Sequence, residues 1–108
     1  MLDLFKNLWR RPQTEQKPPE PADVAADRAA APLLPEDGWV FWHCRKGNTC
    51  DLATVQIVKP DLSEVSWWKR RNVARAALAR RLDYILGQRA RMRKQGCEVG
   101  PIEAAKND

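Results

Sequence analysis

Residues 61–94 read DLSEVSWWKRRNVARAALARRLDYILGQRARMRK, and this stretch decides the fold. It contains no proline and no long polar run. Its interior is rich in Ala, Leu and Arg, all good helix formers, so the pattern predicts one long helix. Pro60 stops what precedes it. Asp61 followed three residues later by Glu64 has the form of a capping box. Arg91, Arg93 and Lys94 suit the negative end of the helix dipole, and Gly96 is the expected stop. Gly87 is the weak point, because a glycine inside a helix costs about 1 kcal/mol relative to alanine. Unbroken, such a helix would be about 50 Å long at 1.5 Å per residue.

The stretch also concentrates the charge. It holds ten of the chain's nineteen Lys and Arg residues against three acids, a net +7 where the whole chain carries +5. At about 100° per residue, Trp68, Ala74, Leu78, Leu82, Ile85, Leu86 and Met92 form an apolar stripe. Lys69, Arg80 and Arg91 fall nearly in line on the other side, because eleven residues make about three turns. Arg70, Arg81 and Lys94 flank that line. Arg71, Arg75, Arg89 and Arg93 lie on the apolar side towards its two ends. The expectation is a buried middle, residues 78–86, with both ends reaching past the core and presenting arginines.

Working back towards the N-terminus, residues 38–59 predict a β-hairpin. Residues 39–44 (WVFWHC) and 51–58 (DLATVQIV) are rich in strand formers. The turn is expected over residues 45–49, which include Gly47-Asn48. On the first strand Val40, Trp42 and Cys44 share one face, and Trp39, Phe41 and His43 the other. On the second, Ala53, Val55 and Ile57 form the apolar face. A lone hairpin is not stable in water, and the apolar stripe of the helix is the cover available to it. The fold class expected is α+β, a small ββα unit spanning residues 37–96.

The flanks read differently. Residues 12–36 hold six of the eight prolines and six alanines without an aromatic residue, the composition of an extended linker. Residues 22–31, between Pro21 and Pro32, can form at most a transient helix. Residues 1–11 (MLDLFKNLWRR) form a short amphipathic docking peptide in which Leu4, Phe5, Leu8 and Trp9 share an apolar arc. A helix this short orders only against another surface. That surface is the chain's own domain, a partner's groove or, ranked last, a membrane. Residues 97–108 are polar and carry Gly100-Pro101, and a disordered tail is expected there.

Several classes of chemistry lack their residues. Nothing approaches the ~20 apolar residues of a membrane-spanning helix. No secretory signal is present either. Three cysteines do not close a disulfide framework, so a cytoplasmic, reducing setting is expected. His43, Cys44, Cys50 and Cys97 are the only soft metal ligands. They include no C-x-x-C pair, and neighbouring His43 and Cys44 point to opposite faces of a strand, so zinc is not expected. A Cys44–Cys50 bridge across the hairpin would not persist under reducing conditions. No paired carboxylates in an apolar setting and no phosphate-binding glycine loop appear, so neither an enzyme nor a cofactor is expected.

What remains is a basic surface with aromatic residues beside it. A predicted pI near 9.4 favours an anionic partner. Trp67-Trp68-Lys69-Arg70-Arg71 sets two indoles beside three cations, and the helical wheel puts Trp68 inside and Trp67 outside. The function expected is a small non-enzymatic protein that binds DNA or RNA. Lys69, Arg70, Arg71, Arg75, Arg80, Arg81, Arg89, Arg91, Arg93 and Lys94 would contact phosphate, and Trp67 would stack on a base. The alternative is a protein-binding adaptor or inhibitor. Its basic helix would dock on an acidic or nucleic-acid-binding surface of a partner protein, with residues 1–11 as the second docking site. A core this small also makes a homo-oligomer a candidate state.

Overall fold

The computed structural model describes residues 19–107. The docking peptide with Leu4, Phe5, Leu8 and Trp9, and the first part of the expected linker, lie outside them. The elements are α1 (Ala22–Ala30), β1 (Gly38–Lys46), β2 (Thr49–Ile57), α2 (Arg70–Lys94), β3 (Glu98–Val99) and β4 (Glu103–Lys106). This is an α+β fold with an antiparallel sheet on one side and the long helix on the other.

The hairpin forms as the strand pattern requires. Lys46 pairs with Thr49 and Gly38 with Ile57 in one unbroken register. The loop is therefore only Gly47-Asn48, tighter than the five residues expected. Gly47 takes φ 60° while among the described residues no non-glycine residue has positive φ, which is the type II′ arrangement with glycine in the first central position. The register puts Val40, Trp42, Ala53, Val55 and Ile57 on the inner face, against the helix.

The chain after the helix is not a frayed tail. β3 and β4 pair with the other side of β1, making β1 the central strand. Cys44 pairs with Val99 and Phe41 with Glu103. Two residues of β1 thus face three of the returning chain, the count of a β-bulge. The extra residue falls at Gly100-Pro101-Ile102, where the Gly100 amide donates to the His43 carbonyl at 2.7 Å. A bulge tolerates the N–H that Pro101 lacks, so the residues that argue against regular structure instead shape a strand.

The long helix is shorter at its start than expected. Residues 61–69 form a series of single turns before α2 begins at Arg70. Asp61 does not cap a helix. Its Oδ1 accepts the Ser63 amide at 3.0 Å, two residues on, and closes a local turn. Val65, Ser66 and the two tryptophans are weaker helix formers than the Ala-Leu-Arg run that follows, which accounts for the delay. The far end is as expected. Gly96 has φ 87°, its amide donates to the Arg93 carbonyl, and the Cys97 amide donates to the Met92 carbonyl, each at 3.0 Å. That is a Schellman stop. Gly87 does not interrupt the helix.

The core consists of Val40, Trp42 and Ile57 from the sheet with Ile85 and Leu86 from α2. Leu34, Leu78, Met92, Val99 and Ile102 pack around it. The Trp42 indole N–H, which burial would otherwise leave unsatisfied, donates to the Met92 sulfur at 3.4 Å. The expected linker also contributes to the fold. Its residues 22–30 form α1, and the connection from α1 to β1 buries Pro35 and packs Leu34 on the core.

Candidate functional site

The basic residues of residues 61–94 divide into two groups with different surroundings. Arg89 sits on the inner face of α2, one turn after Ile85, and is 3% exposed. Its guanidinium donates to both Asp27 oxygens at 3.0 and 3.1 Å and to the Gly100 carbonyl at 2.7 Å. It also lies over the Trp42 ring, 5.5 Å from the centroid. Arg93, one turn on, reaches the same carboxylate with bonds of 2.6 and 2.7 Å. Both side chains were expected to contact phosphate, and neither is placed to do so. The end of the helix does not extend past the core, because α1 and the β3–β4 return enclose it.

Asp27 is the residue that makes this arrangement, and the sequence reading missed it. Burial alone would push its carboxyl up. The hydrogen bonds and charges of Arg93 and Arg89 outweigh that and hold it at about 2, against an ordinary 3.8. Arg93 is correspondingly raised by its bond to Asp27, against the opposing effect of burial. The available signal was faint, one of two acids in an alanine-rich run between prolines. A second tie joins Arg28 to Glu20 and to Asp83 of α2, each at 2.8 Å.

The second group faces solvent. Lys69, Arg70, Arg71, Arg75, Arg80, Arg81, Arg91 and Lys94 are all exposed. Among the described residues none of them forms a salt bridge, although Glu36 lines the same clefts as Arg70, Arg71 and Arg75. Arg70 donates to the Val65 carbonyl at 3.0 Å, which fixes the turn leading into the helix. Lys69 stands 4.8 Å over the Trp68 ring, and Arg81 lies 5.8 Å over Tyr84. The first turn of α2 contains no acid. Cations there oppose the helix dipole, an arrangement that an external anion would relieve.

The tryptophans are not divided as the helical wheel implies. Trp67 is 81% exposed, as expected, but Trp68 is also outside, at 63%. The wheel applied to a helix starting at Asp61 does not apply to residues 66–69, which form a turn instead. Both indoles therefore stand beside Lys69, Arg70 and Arg71. A cleft of about 280 Å³ is lined by Glu36, Lys59, Pro60, Leu62, Arg70 and Arg71.

The cysteines are unpaired. Cys50 pairs with Arg45 and Cys44 with Asp51, so their side chains lie on opposite faces of the hairpin, which disfavours a bridge between them. The Cys44 thiol is pushed up by burial first and by the neighbouring Cys97 thiol second. His43 Nδ1 and Cys50 Sγ are 4.0 Å apart on the exposed face. Among the described residues no three His, Cys, Asp or Glu side chains converge on a metal position. Nor is any helix there long and apolar enough to cross a membrane.

No protein-family model, curated protein or solved structure matches this chain.

Proposed function

We propose that this is a non-enzymatic protein that binds nucleic acid through phosphate contacts of the exposed cations of α2 and of the turn that leads into it. The contacting residues are Lys69, Arg70, Arg71, Arg75, Arg80, Arg81, Arg91 and Lys94, and Trp67 offers a stacking surface. The observation that carries this reading is that these eight cations have no acidic partner among the described residues, while the other two of the ten are bound to Asp27. Lys69, Arg80 and Arg91 recur along about 33 Å of helix, at 1.5 Å per residue. A row of unpaired like charges repels itself, and a polyanion converts that repulsion into binding by releasing its counterions. A reducing, cytoplasmic setting belongs to the same proposal.

Titration of tryptophan fluorescence with a short duplex and a short single strand tests it. With about five phosphates engaged, affinity is expected to fall by about 10³ between roughly 50 and 300 mM salt. Replacing Arg80 and Arg81 by Glu is expected to weaken binding at low salt at least about tenfold and to flatten the salt dependence. Unchanged affinity in that double variant, or no binding at low salt, overturns the reading. A nuclease-resistant complex with an acidic protein would then support the adaptor role.

A further inference from the structure

β2 ends the sheet on one side, and among the described residues no strand pairs with its outer edge. The two-residue loop determines which backbone groups face that edge. Lys46 and Thr49 flank the loop and so exchange both their hydrogen bonds. The constant register makes Asp51, Ala53, Val55 and Ile57 hydrogen-bonded to β1 in the same way. Cys50, Leu52, Thr54 and Gln56 therefore turn their N–H and C=O groups outward. Natural edge strands are usually short, or carry lysine, proline or a bulge. β2 has nine residues, pairs without a bulge, and contains neither lysine nor proline. Its one charged residue, Asp51, lies on the inner face.

We propose that this edge is an interface at which a second copy of the chain adds its own β2 antiparallel, joining the two sheets across a two-fold axis at Ala53. The strand is complementary to itself in that register. Leu52 would exchange hydrogen bonds with the second copy's Thr54, and Cys50 with the second copy's Gln56. Asp51 would stand opposite the second copy's Val55, so no like charges meet. Leu52, now 54% exposed, would gain a neighbour on the outer face. Such a contact would also add to a small core, since among the described residues five apolar side chains are fully buried. One repulsion opposes the pairing. Arg80 and Arg81 border a groove with Val58 at the end of β2, so the dyad brings two arginine pairs to the same side. Ionic strength of about 0.3 M, where the screening length is roughly 6 Å, relieves it. The proposal is independent of nucleic-acid binding.

The test is the mass of the full chain in solution at that ionic strength, by sedimentation equilibrium. Wild type is expected at twice the 12.4 kDa of one chain. Thr54→Pro removes an outward N–H that β1 does not use and is expected at the single-chain mass with an unchanged circular dichroism spectrum. Amide exchange in the wild type supplies a readout independent of that variant's folding. The amides of Cys50, Leu52, Thr54 and Gln56 are expected to exchange about fourfold more slowly at roughly 200 µM than at about 10 µM, because the free-chain fraction of a dimer falls with the square root of concentration. A wild type that stays at the single-chain mass overturns the proposal. So does a dimer whose four amides exchange at the same rate at both concentrations, since it would be joined elsewhere.

Discussion

One buried carboxylate ties the N-terminal part of the described chain to the long helix, beside the exposed Arg28–Asp83 pair. Asp27 takes bonds from two guanidinium groups, and its side chain is only 9% exposed. Removing one partner of a buried ion pair is worse than never having had it, because the remaining charge stays desolvated. Asp27→Ala is therefore expected to destabilise the protein by about 3–5 kcal/mol in urea unfolding, with Arg89 left buried and unpaired. Acid titration is a milder probe, since a protonated carboxyl still accepts hydrogen bonds. The carboxyl is held at about 2 in the folded chain and titrates near 3.8 when unfolded. Its contribution, about 2 kcal/mol, is thus complete above pH 4 and is lost as pH falls towards 2. Wild type is expected to lose about 2 kcal/mol more than Asp27→Asn across that window, because the amide does not titrate there while carboxyls such as the lowered Asp61 are common to both. Parallel pH-dependent urea melts of the two proteins check this.

Among the elements, β1, β2 and most of α2 were legible because their signals are periodic and local. Alternation over Trp39–Cys44 and the stripe from Leu78 to Met92 name the faces that meet in the core. The start of α2 was misread because Asp61 and Glu64 satisfy a capping pattern that the backbone uses for a tighter turn. The third ribbon of the sheet was missed because its signal is not local. Residues 98–106 have few strand formers, and only β1 beside them makes them strands. The exposed cations of the candidate site were legible from charge alone. The withdrawal of Arg89 and Arg93 was not, since it depends on an acid 62 and 66 residues away in sequence. Within α2, Gly87 is exposed, and a Cβ built on it would meet no atom within 4 Å. Gly87→Ala is accordingly expected to stabilise the protein by about 1 kcal/mol, through helix propensity and a less flexible unfolded chain, read as a raised urea midpoint at constant slope.

At the scale of the whole molecule, the fold closes on itself through its last residues. β1 is central only because β3 and β4 occupy its second edge, and β1 is the strand that carries the inward-facing Val40 and Trp42. Ile102 packs on the same core, the Gly100 carbonyl accepts from Arg89, and the Asn107 amide donates to the Asp37 carbonyl at 3.2 Å. A chain ending at Gly100 would lose β4 and Ile102 together. It would expose the backbone of Gly38 to Phe41 and open the layer beneath α1 to water. A dispensable tail would leave the melt unchanged. The structure instead implies that this truncation removes the cooperative transition or lowers its midpoint by more than about 10 °C, since a loss of even 2 kcal/mol moves a domain of this size that far. Thermal unfolding followed by near-ultraviolet circular dichroism, with Trp42 contributing from the core, distinguishes the two outcomes. Eight of the cations at α2 are exposed. A truncated chain that still bound nucleic acid while lacking the cooperative melt would separate the charge of the helix from the fold that displays it.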